Sequence, residues 1–283
     1  MRKNKTLLTI IFILVVSLNK SFSQELKIDP MYRIQLLVQM ENYQSAIEFT
    51  EKLDDSLKCE KFEILGFCNG KLENYILASK YYEQYIEECN PSYIQRINLG
   101  DTYYKANKIE KAKEQFLIVK SEMPDFGLVN YNLGLIEYDT GNKEKAVEYF
   151  TNAINANDEE TLDFDYVEMQ IKTLNELEKY ELAFKNIDII LGFWDKNSIN
   201  YKYTLILKSS ILGAKGDYQK GINLLDDIIN SGIDNETVLL EAYYQQIEFY
   251  SKINKKDKAC DIYKIIESIN PKSGILKEYE CGK

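Results

Sequence analysis

Gly66, Gly100 and Gly134 recur at an interval of 34 residues, and Ala78, Ala112 and Ala146 keep the same interval, each alanine twelve positions after its glycine. A fixed period in this range means that one supersecondary unit is stacked on copies of itself, because no single unit buries its apolar face alone. Such a chain is an array. Its function is read from the surface that the stacked units present.

The residues around the two later glycines match position by position. Ile97-Asn98-Leu99-Gly100 is followed by Tyr103-Tyr104, Ala112, Phe116 and Pro124, and Tyr131-Asn132-Leu133-Gly134 by Tyr138, Gly141, Ala146, Phe150 and Ala153. Leu65-Gly66, Ala78 and Tyr82 keep the phase, with Pro91 one place late. Apolar residues Ala146, Val147, Phe150, Ala153 and Ile154 follow helical steps, and no sustained alternation suggests a strand.

This pattern resembles the tetratricopeptide repeat, in which a helix, a turn and a second helix form one unit. The resemblance implies an all-α fold, a right-handed superhelical solenoid of about seven antiparallel helix-turn-helix repeats. Glycine and alanine then stand where antiparallel helices approach closely, while Tyr82, Phe116 and Phe150 fill the space between neighbouring repeats. Pro91, Pro124 and Pro271 end second helices, since proline lacks the amide donor and restricts the residue before it.

Weaker copies extend the array through Ala46, Ala183, Gly221 and Ala259. The expected organisation is a leader over residues 1–23, an array over 24–271, and a capping helix and tail over 272–283. The later spacings are longer, and the extra residues belong in connections at 157–163, 194–201 and 231–237. No Pro/Gly/Ser-rich linker breaks the array. In the tail, Ile275, Leu276 and Tyr279 lie along one side of a helix and Lys277, Glu278 and Glu280 along the other, as a cap over an open end requires.

The first residues read as a secretory leader: Arg2, Lys3 and Lys5, an apolar run over 7–18, then Ser21-Phe22-Ser23 with small residues two apart. Cleavage after Ser23 leaves Gln24 first, and the ending Ser-Phe-Ser-Gln resembles exported proteins of the Bacteroidetes group. The alternative is an uncleaved anchor, but the run is shorter than the ~20 residues that span a bilayer. The expectation is therefore an exported chain, periplasmic or secreted, with no membrane insertion once cleaved.

Losing Arg2, Lys3, Lys5 and Lys20 moves the net charge from −10 to −14. Nucleic acid is disfavoured as a partner. The acidity either keeps a scaffold dispersed or favours a basic protein or peptide partner.

Five cysteines in an exported chain permit disulfides. The repeat geometry suggests two pairs. Cys59 opens the first helix of its unit and Cys89 closes the second, while Cys260 begins the second helix of the last unit and Cys281 ends the capping helix. Cys68 is left buried and free. Reduced cysteines acting as small apolar residues are the alternative.

Catalytic constellations are missing from the sequence. There is no histidine, and no Gly-x-Ser-x-Gly, phosphate-cradling glycine loop or Cys-x-x-Cys. Asp158-Glu159-Glu160 with Asp163 and Asp165 imitates a calcium loop but lacks its glycine, so linker and helix capping is the better reading; Asp54-Asp55 and Asp226-Asp227 read alike. No enzyme activity, cofactor or metal is expected.

In proteins with this repeat the first helix of each unit lines a concave groove. Carried over by position, that groove holds Phe67, then Ile97, Asp101, Tyr104 and Lys105, then Tyr131, Leu135, Tyr138 and Asp139, and further on Glu168, Lys172, Ile206, Tyr244 and Glu248. Its centre is aromatic and apolar, which suits a peptide or helix. The competing role for Tyr104 and Tyr138 is packing against neighbouring helices. The implied function is a protein-protein interaction scaffold of the cell envelope; the alternative is a structural or self-associating module.

Overall fold

The computed structural model describes residues 29–157, 162–270 and 281. Among them are fourteen α-helices and no strand. In chain order they are α1 (Pro30–Gln39), α2 (Tyr43–Thr50), α3 (Lys58–Lys71), α4 (Tyr75–Glu88), α5 (Tyr93–Lys105), α6 (Ile109–Glu122) and α7 (Gly127–Asp139). There follow α8 (Lys143–Asn155), α9 (Phe164–Glu176), α10 (Tyr180–Ile190), α11 (Ile199–Ala214), α12 (Tyr218–Asn230), α13 (Glu236–Lys252) and α14 (Lys256–Ile269). Two compact units emerge, Met1–Gln115 and Phe116–Lys283, and the division between them falls inside α6 rather than in a linker. The leader, the 158–160 acidic run and the 272–283 cap, apart from Cys281, lie outside the described residues.

The small residues that set the period all occupy one register. Ala46, Ala78, Ala112, Ala146, Ala183, Gly221 and Ala259 are each the fourth residue of the second helix of a hairpin, and each is buried. A side chain no larger than a methyl at that point lets the paired helices close up. The lengthened connections lie between hairpins, at 156–163, 191–198 and 231–235.

Within the hairpins every turn is the same. The three residues between first and second helix have a left-handed centre: Glu41, Glu73, Asn107, Gly141, Glu178, Gly216 and Asn254, all with φ between 55° and 85°. The amide after each of these reaches back to a carbonyl five residues earlier, as in Asn42 N to Leu37 O at 2.9 Å and Asn142 N to Glu137 O at 2.8 Å. The central amide bonds the carbonyl three residues back, as in Glu73 N to Gly70 O. These are Schellman caps, which satisfy the last carbonyls of the first helix while reversing the chain. Glycine takes the left-handed position at only two of the seven turns, and side chains there are strained by roughly 1–2 kcal/mol each.

Glycine also permits two close approaches. A Cβ on Gly66 would stand 2.9 Å from the Tyr82 ring, and one on Gly134 only 2.5 Å from the fully buried Phe150 ring. Both rings therefore pack on the first helix of their own hairpin, and Tyr82 also faces Ile34 and Asn98 of the repeats on either side. Phe249 of α13 likewise bridges repeats: its ring occupies the space over Gly213 and Gly221 of the preceding hairpin.

Cys59 and Cys89 are bonded at the base of the α3/α4 hairpin, with Cα atoms 5.9 Å apart. The Lys58–Glu88 ion pair at 3.2 Å stands beside that bridge. Cys260 and Cys281 are bonded with Cα atoms 5.6 Å apart. Cys68 is a free thiol, fully buried with Ile34, Ala46 and Leu53, and burial pushes its pKa up to about 11. It is a packing residue, with negligible thiolate at neutral pH.

Candidate functional site

In the first unit the first helices α1, α3 and α5 enclose a cleft of about 390 Å³. Its walls are Ile34, Gln35, Val38 and Gln39 from α1, Glu63, Ile64 and Phe67 from α3, and Asn98 from α5, with Tyr82 of α4 at the base. Phe67, Tyr82 and Asn98 also border a second cavity of about 220 Å³ that runs past Lys71, Tyr75, Asp101 and Lys105. Phe67 is 38% exposed, its ring centre 6.1 Å from that of Tyr43 in an edge-to-face contact and the Lys71 ammonium 5.4 Å from its centre. The two cavities thus join an apolar, amide-flanked end to a polar one.

Charge in this cleft is balanced and partly committed. Asp101 and Lys105 pair at 2.8 Å one helical turn apart on α5. Glu63 accepts a hydrogen bond from the buried Gln95 side chain at 2.8 Å, tying α3 to α5 beneath the cleft. Gln95 also accepts from the Ser92 amide in the capping box that starts α5. Tyr82 lies under the cleft with its hydroxyl pKa raised, first by burial and then by Glu63 and Asp101. These bonds hold the floor in place and leave Phe67, Gln35, Gln39 and Asn98 facing the opening.

The corresponding helices of the second unit are knit together across their faces. Tyr131 of α7 lies between Phe150 and Tyr166, with ring centres 5.8 and 4.7 Å away. Its pKa is pushed up to about 12 by burial and by Asp165, Asp163 and Glu168. Tyr138 donates to Glu176 of α9 at 2.6 Å, and the Lys172 ammonium sits 5.4 Å from its ring. That hydrogen bond, then burial, raises the Tyr138 pKa to about 12. Phe164 stacks on Tyr203 of α11 at 5.0 Å, and the Tyr203 hydroxyl reaches Glu168 at 3.5 Å.

Glu168 and Glu176 stand on one helix in opposite environments. Burial, then Asp165, pushes the Glu168 pKa up, against smaller opposing effects of Tyr203 and Lys172. Burial also acts to raise Glu176, but the hydrogen bonds from Tyr138 and Lys143 together outweigh it and its pKa falls.

The groove residues expected from sequence therefore separate. Phe67, Asp101 and Lys105 line the joined cavities of the first unit, and Tyr104 is half-buried on the same α5. Ile97, at 8% exposure, and Ile206, fully buried, are core residues and drop out of the groove. Both were assigned by counting from the repeat pattern, which places a residue to within one helical step, and one step is the difference between face and core. Tyr131 and Tyr138 are engaged with α9, Leu135 is half-buried, and Tyr244 packs in the cluster around Ile247 and Tyr263. Asp139, Lys172 and Glu248 are exposed. Ile34, Gln35, Val38, Gln39, Glu63, Ile64, Tyr82 and Asn98 were not expected in the groove; the first four lie on α1, which lacks the Leu-Gly pair of the clear copies.

Of the acidic runs, those at Asp54 and Asp163 cap helices, whereas Asp226-Asp227 lie inside α12, where Asp226 accepts a hydrogen bond from Gln246 at 2.6 Å. Asp163 accepts from the Asp165 amide at 3.0 Å at the start of α9, and Asp54 from the Ser56 amide at 2.9 Å. Among the described residues no group of three or more histidine, cysteine or acidic side chains could hold a metal ion. No described helix is long and apolar enough to cross a membrane.

Family models described as tetratricopeptide repeat match residues 129–160 and 241–273. Two hairpins of this chain match the tetratricopeptide repeat. The first match spans most of the α7/α8 hairpin and the second most of α13/α14, the same units whose fourth-position alanines are Ala146 and Ala259. Solved tetratricopeptide proteins share the fold. The C-terminal part of one from Cytophaga hutchinsonii superposes with a TM-score of 0.66 at 18% identity, over 88% of this chain and 99% of that one. Another, from Parabacteroides merdae, gives 0.62 at 13% identity over 89% and 96%. The pilF protein of Pseudomonas aeruginosa gives 0.55 at 18% identity over 77% and 97%. No curated protein sequence matches the chain. Tetratricopeptide repeats are typical of protein-protein interaction scaffolds.

Proposed function

We propose that the chain is an exported, non-catalytic scaffold of a bacterial cell envelope, and that it holds a protein segment in the cleft between α1, α3 and α5. One observation carries this reading: an apolar floor with an exposed phenylalanine, flanked by the amides of Gln35, Gln39 and Asn98, opening into a cavity with Lys71, Asp101 and Lys105. Apolar pockets supply affinity and amides can bond an extended backbone, the combination that peptide grooves use. Lying on three successive first helices, the cleft sits on rigid elements and needs no ordering when a segment binds.

Export rests on the leader, and a partner with basic character rests on the net charge of −14 left by its removal. Within the cleft the charges balance, so the acidity acts at long range, on the rate of encounter. Raising salt should therefore slow association while dissociation stays constant; salt-independent association would remove the basic-partner reading.

The binding reading is tested by comparing Phe67→Ala with Leu135→Ala as bait in a pull-down from envelope extracts of the native host. Loss of the captured protein with Phe67→Ala alone supports the cleft. Equal capture by both variants, with both folded by circular dichroism, contradicts it. Mass measurement of the exported chain tests the leader separately: a chain beginning at Gln24 supports export with cleavage, and one beginning at Met1 removes it.

A further inference from the structure

Between the second helices α8 and α10 the second unit holds a cavity of about 220 Å³. Its floor departs from the repeat. Leu65, Leu99 and Leu133 are buried thirteen positions before the small residue of their second helix; in the α9/α10 hairpin that place is taken by Gln170, buried as deeply at 2% exposure. In the two later hairpins it is taken by Lys208 and Gln246, which reach Asp188 and Asp226 of the preceding second helix at 2.7 and 2.6 Å. Gln170 meets Thr151 at the matching place on α8, and that short, neutral side chain leaves the gap open. Two lengthened connections, at 156–163 and 191–198, add Asn157 and Phe193 to the lining. Departures from a repeat that converge on one opening are where function is expected.

The amides in the cavity are fixed and only partly used. Asn186 of α10 donates to Gln170 Oε1 at 3.1 Å, Gln170 Nε2 to Thr151 Oγ1 at 2.7 Å, and Thr151 to the Val147 carbonyl at 2.7 Å. Asn157 donates to the Ala153 carbonyl at 2.7 Å. The Oδ1 atoms of Asn157 and Asn186, and both ends of the Asn155 amide, bond nothing among the described residues. The rest of the lining is apolar: Ile154, Ile189, Ile190 and the Phe193 ring. In a chain with 28% charged residues, none of the described side chains around this cavity is charged.

We propose that this cavity binds one ring of a neutral sugar chain. Hydroxyl groups need partners that both donate and accept, which carboxamides do and carboxylates or ammonium groups do not. The C–H faces of the ring need an apolar or aromatic wall, which Phe193 and the isoleucines supply. A charged ligand would meet no counter-charge among the described lining residues, and an apolar one would leave the free amide ends buried and unpaired. At about 220 Å³ the cavity is smaller than the roughly 300–1,000 Å³ that encloses a drug-sized molecule, so it holds a single ring while the chain on either side stays in solvent.

The test is titration of the full chain with chitohexaose, cellohexaose and mannohexaose, with tetragalacturonate as a charged control, followed by NMR shifts. At least one neutral oligomer should bind with a Kd of about 1–10 mM, the scale of one ring, moving signals of Phe193, Asn155 and Asn186 and leaving Phe67 unmoved. Gln170→Leu, which restores the leucine of the repeat, should weaken that binding about tenfold without lowering the melting temperature. Asn155→Ala, at an exposed position where folding is not at stake, should weaken it about threefold. Phe67→Ala should bind the sugar as the unchanged chain does, which keeps this site separate from the cleft of α1, α3 and α5. Four results overturn the proposal: no binding of any neutral oligomer at about 50 mM, several times the expected constant; equal binding of tetragalacturonate; shifts confined to the α1, α3 and α5 cleft; or binding indifferent to both Gln170→Leu and Asn155→Ala.

Discussion

First helices in the two units present the same kind of face in opposite states. In the first unit α1, α3 and α5 stand around a cleft of about 390 Å³, with Phe67 at its edge. In the second, aromatic rings and tyrosine-carboxylate bonds fasten α7 to α9 and α9 to α11. The repeat is the same, so the difference comes from what occupies the facing positions. In the first unit aliphatic side chains and amides line the opening without bonding across it; in the second, tyrosines bonded to glutamates of a neighbouring first helix reach across and close it. A tyrosine-rich face is consequently a poor guide to a binding surface when each hydroxyl has a carboxylate within reach.

The largest expected effect separates packing from binding. Phe150→Ala empties a fully buried site against Gly134 and should cost about 3–5 kcal/mol in denaturant unfolding. Phe67→Ala, which loses a ring only 38% exposed, should cost about 1–2 kcal/mol, clearly less than Phe150→Ala, while reducing partner capture at least about tenfold. A large stability loss with Phe67→Ala would make the two faces alike.

Next comes the bridge that secures the cleft. Replacing Cys59 and Cys89 by serine opens a loop with a sequence separation of 30 and should cost roughly 3–4 kcal/mol in the chain-entropy model. The loss should appear as early hydrogen exchange in α3 and α4, with α7 to α9 unchanged; uniform loss across both units would argue that they unfold as one.

Smaller in size, Glu73→Gly should raise stability by about 0.5–1 kcal/mol, since glycine relieves the left-handed strain at the α3/α4 turn but carries more chain entropy into the unfolded state. Thermal melting decides it, and a destabilised variant would mean that the side chain makes a contact worth more than the strain.

The smallest effect is on pH dependence and has two signs on one helix. Glu176 has a lowered pKa, so its contribution is present above the ordinary glutamate value near 4.5 and is lost as pH falls below it. Glu168 has a raised pKa, so stability attributable to it is present at low pH and lost as pH rises through its folded value, above 4.5. Both depend on partly exposed groups and should shrink in high salt. Glu168→Gln should flatten the alkaline side of the stability profile and Glu176→Gln the acid side; the reverse assignment would contradict the second unit's hydrogen-bond scheme.

Much of the fold was legible because one residue type at one register carries a packing constraint. A buried methyl or hydrogen at the fourth place of each second helix is required wherever two helices close up, so Ala46 to Ala259 mark the hairpins even where the rest of the repeat has drifted. The turns carry a glycine signal only at Gly141 and Gly216. At Glu41, Glu73 and Glu178 the left-handed conformation is imposed by the helices on either side, which outweigh the local preference and leave no trace in residue type. Pairing of Cys59 with Cys89 followed from hairpin ends meeting. The groove was half legible: periodicity says which face a residue takes, while Tyr138 pointing to Glu176 rather than to solvent depends on a residue 38 positions away. The α1 contribution was harder to read: Ala46 sets its phase, with Ile34 in the place of Gly66, but α1 lacks the Leu-Gly pair that marks first helices in the clear copies.

Site-specific photo-cross-linking in cells of the native host tests the central comparison most directly, with the reactive side chain placed at position 67 in one strain and position 138 in another. A cross-linked partner is predicted from position 67, with none from position 138. A partner captured from position 138 and absent from position 67 would contradict the account.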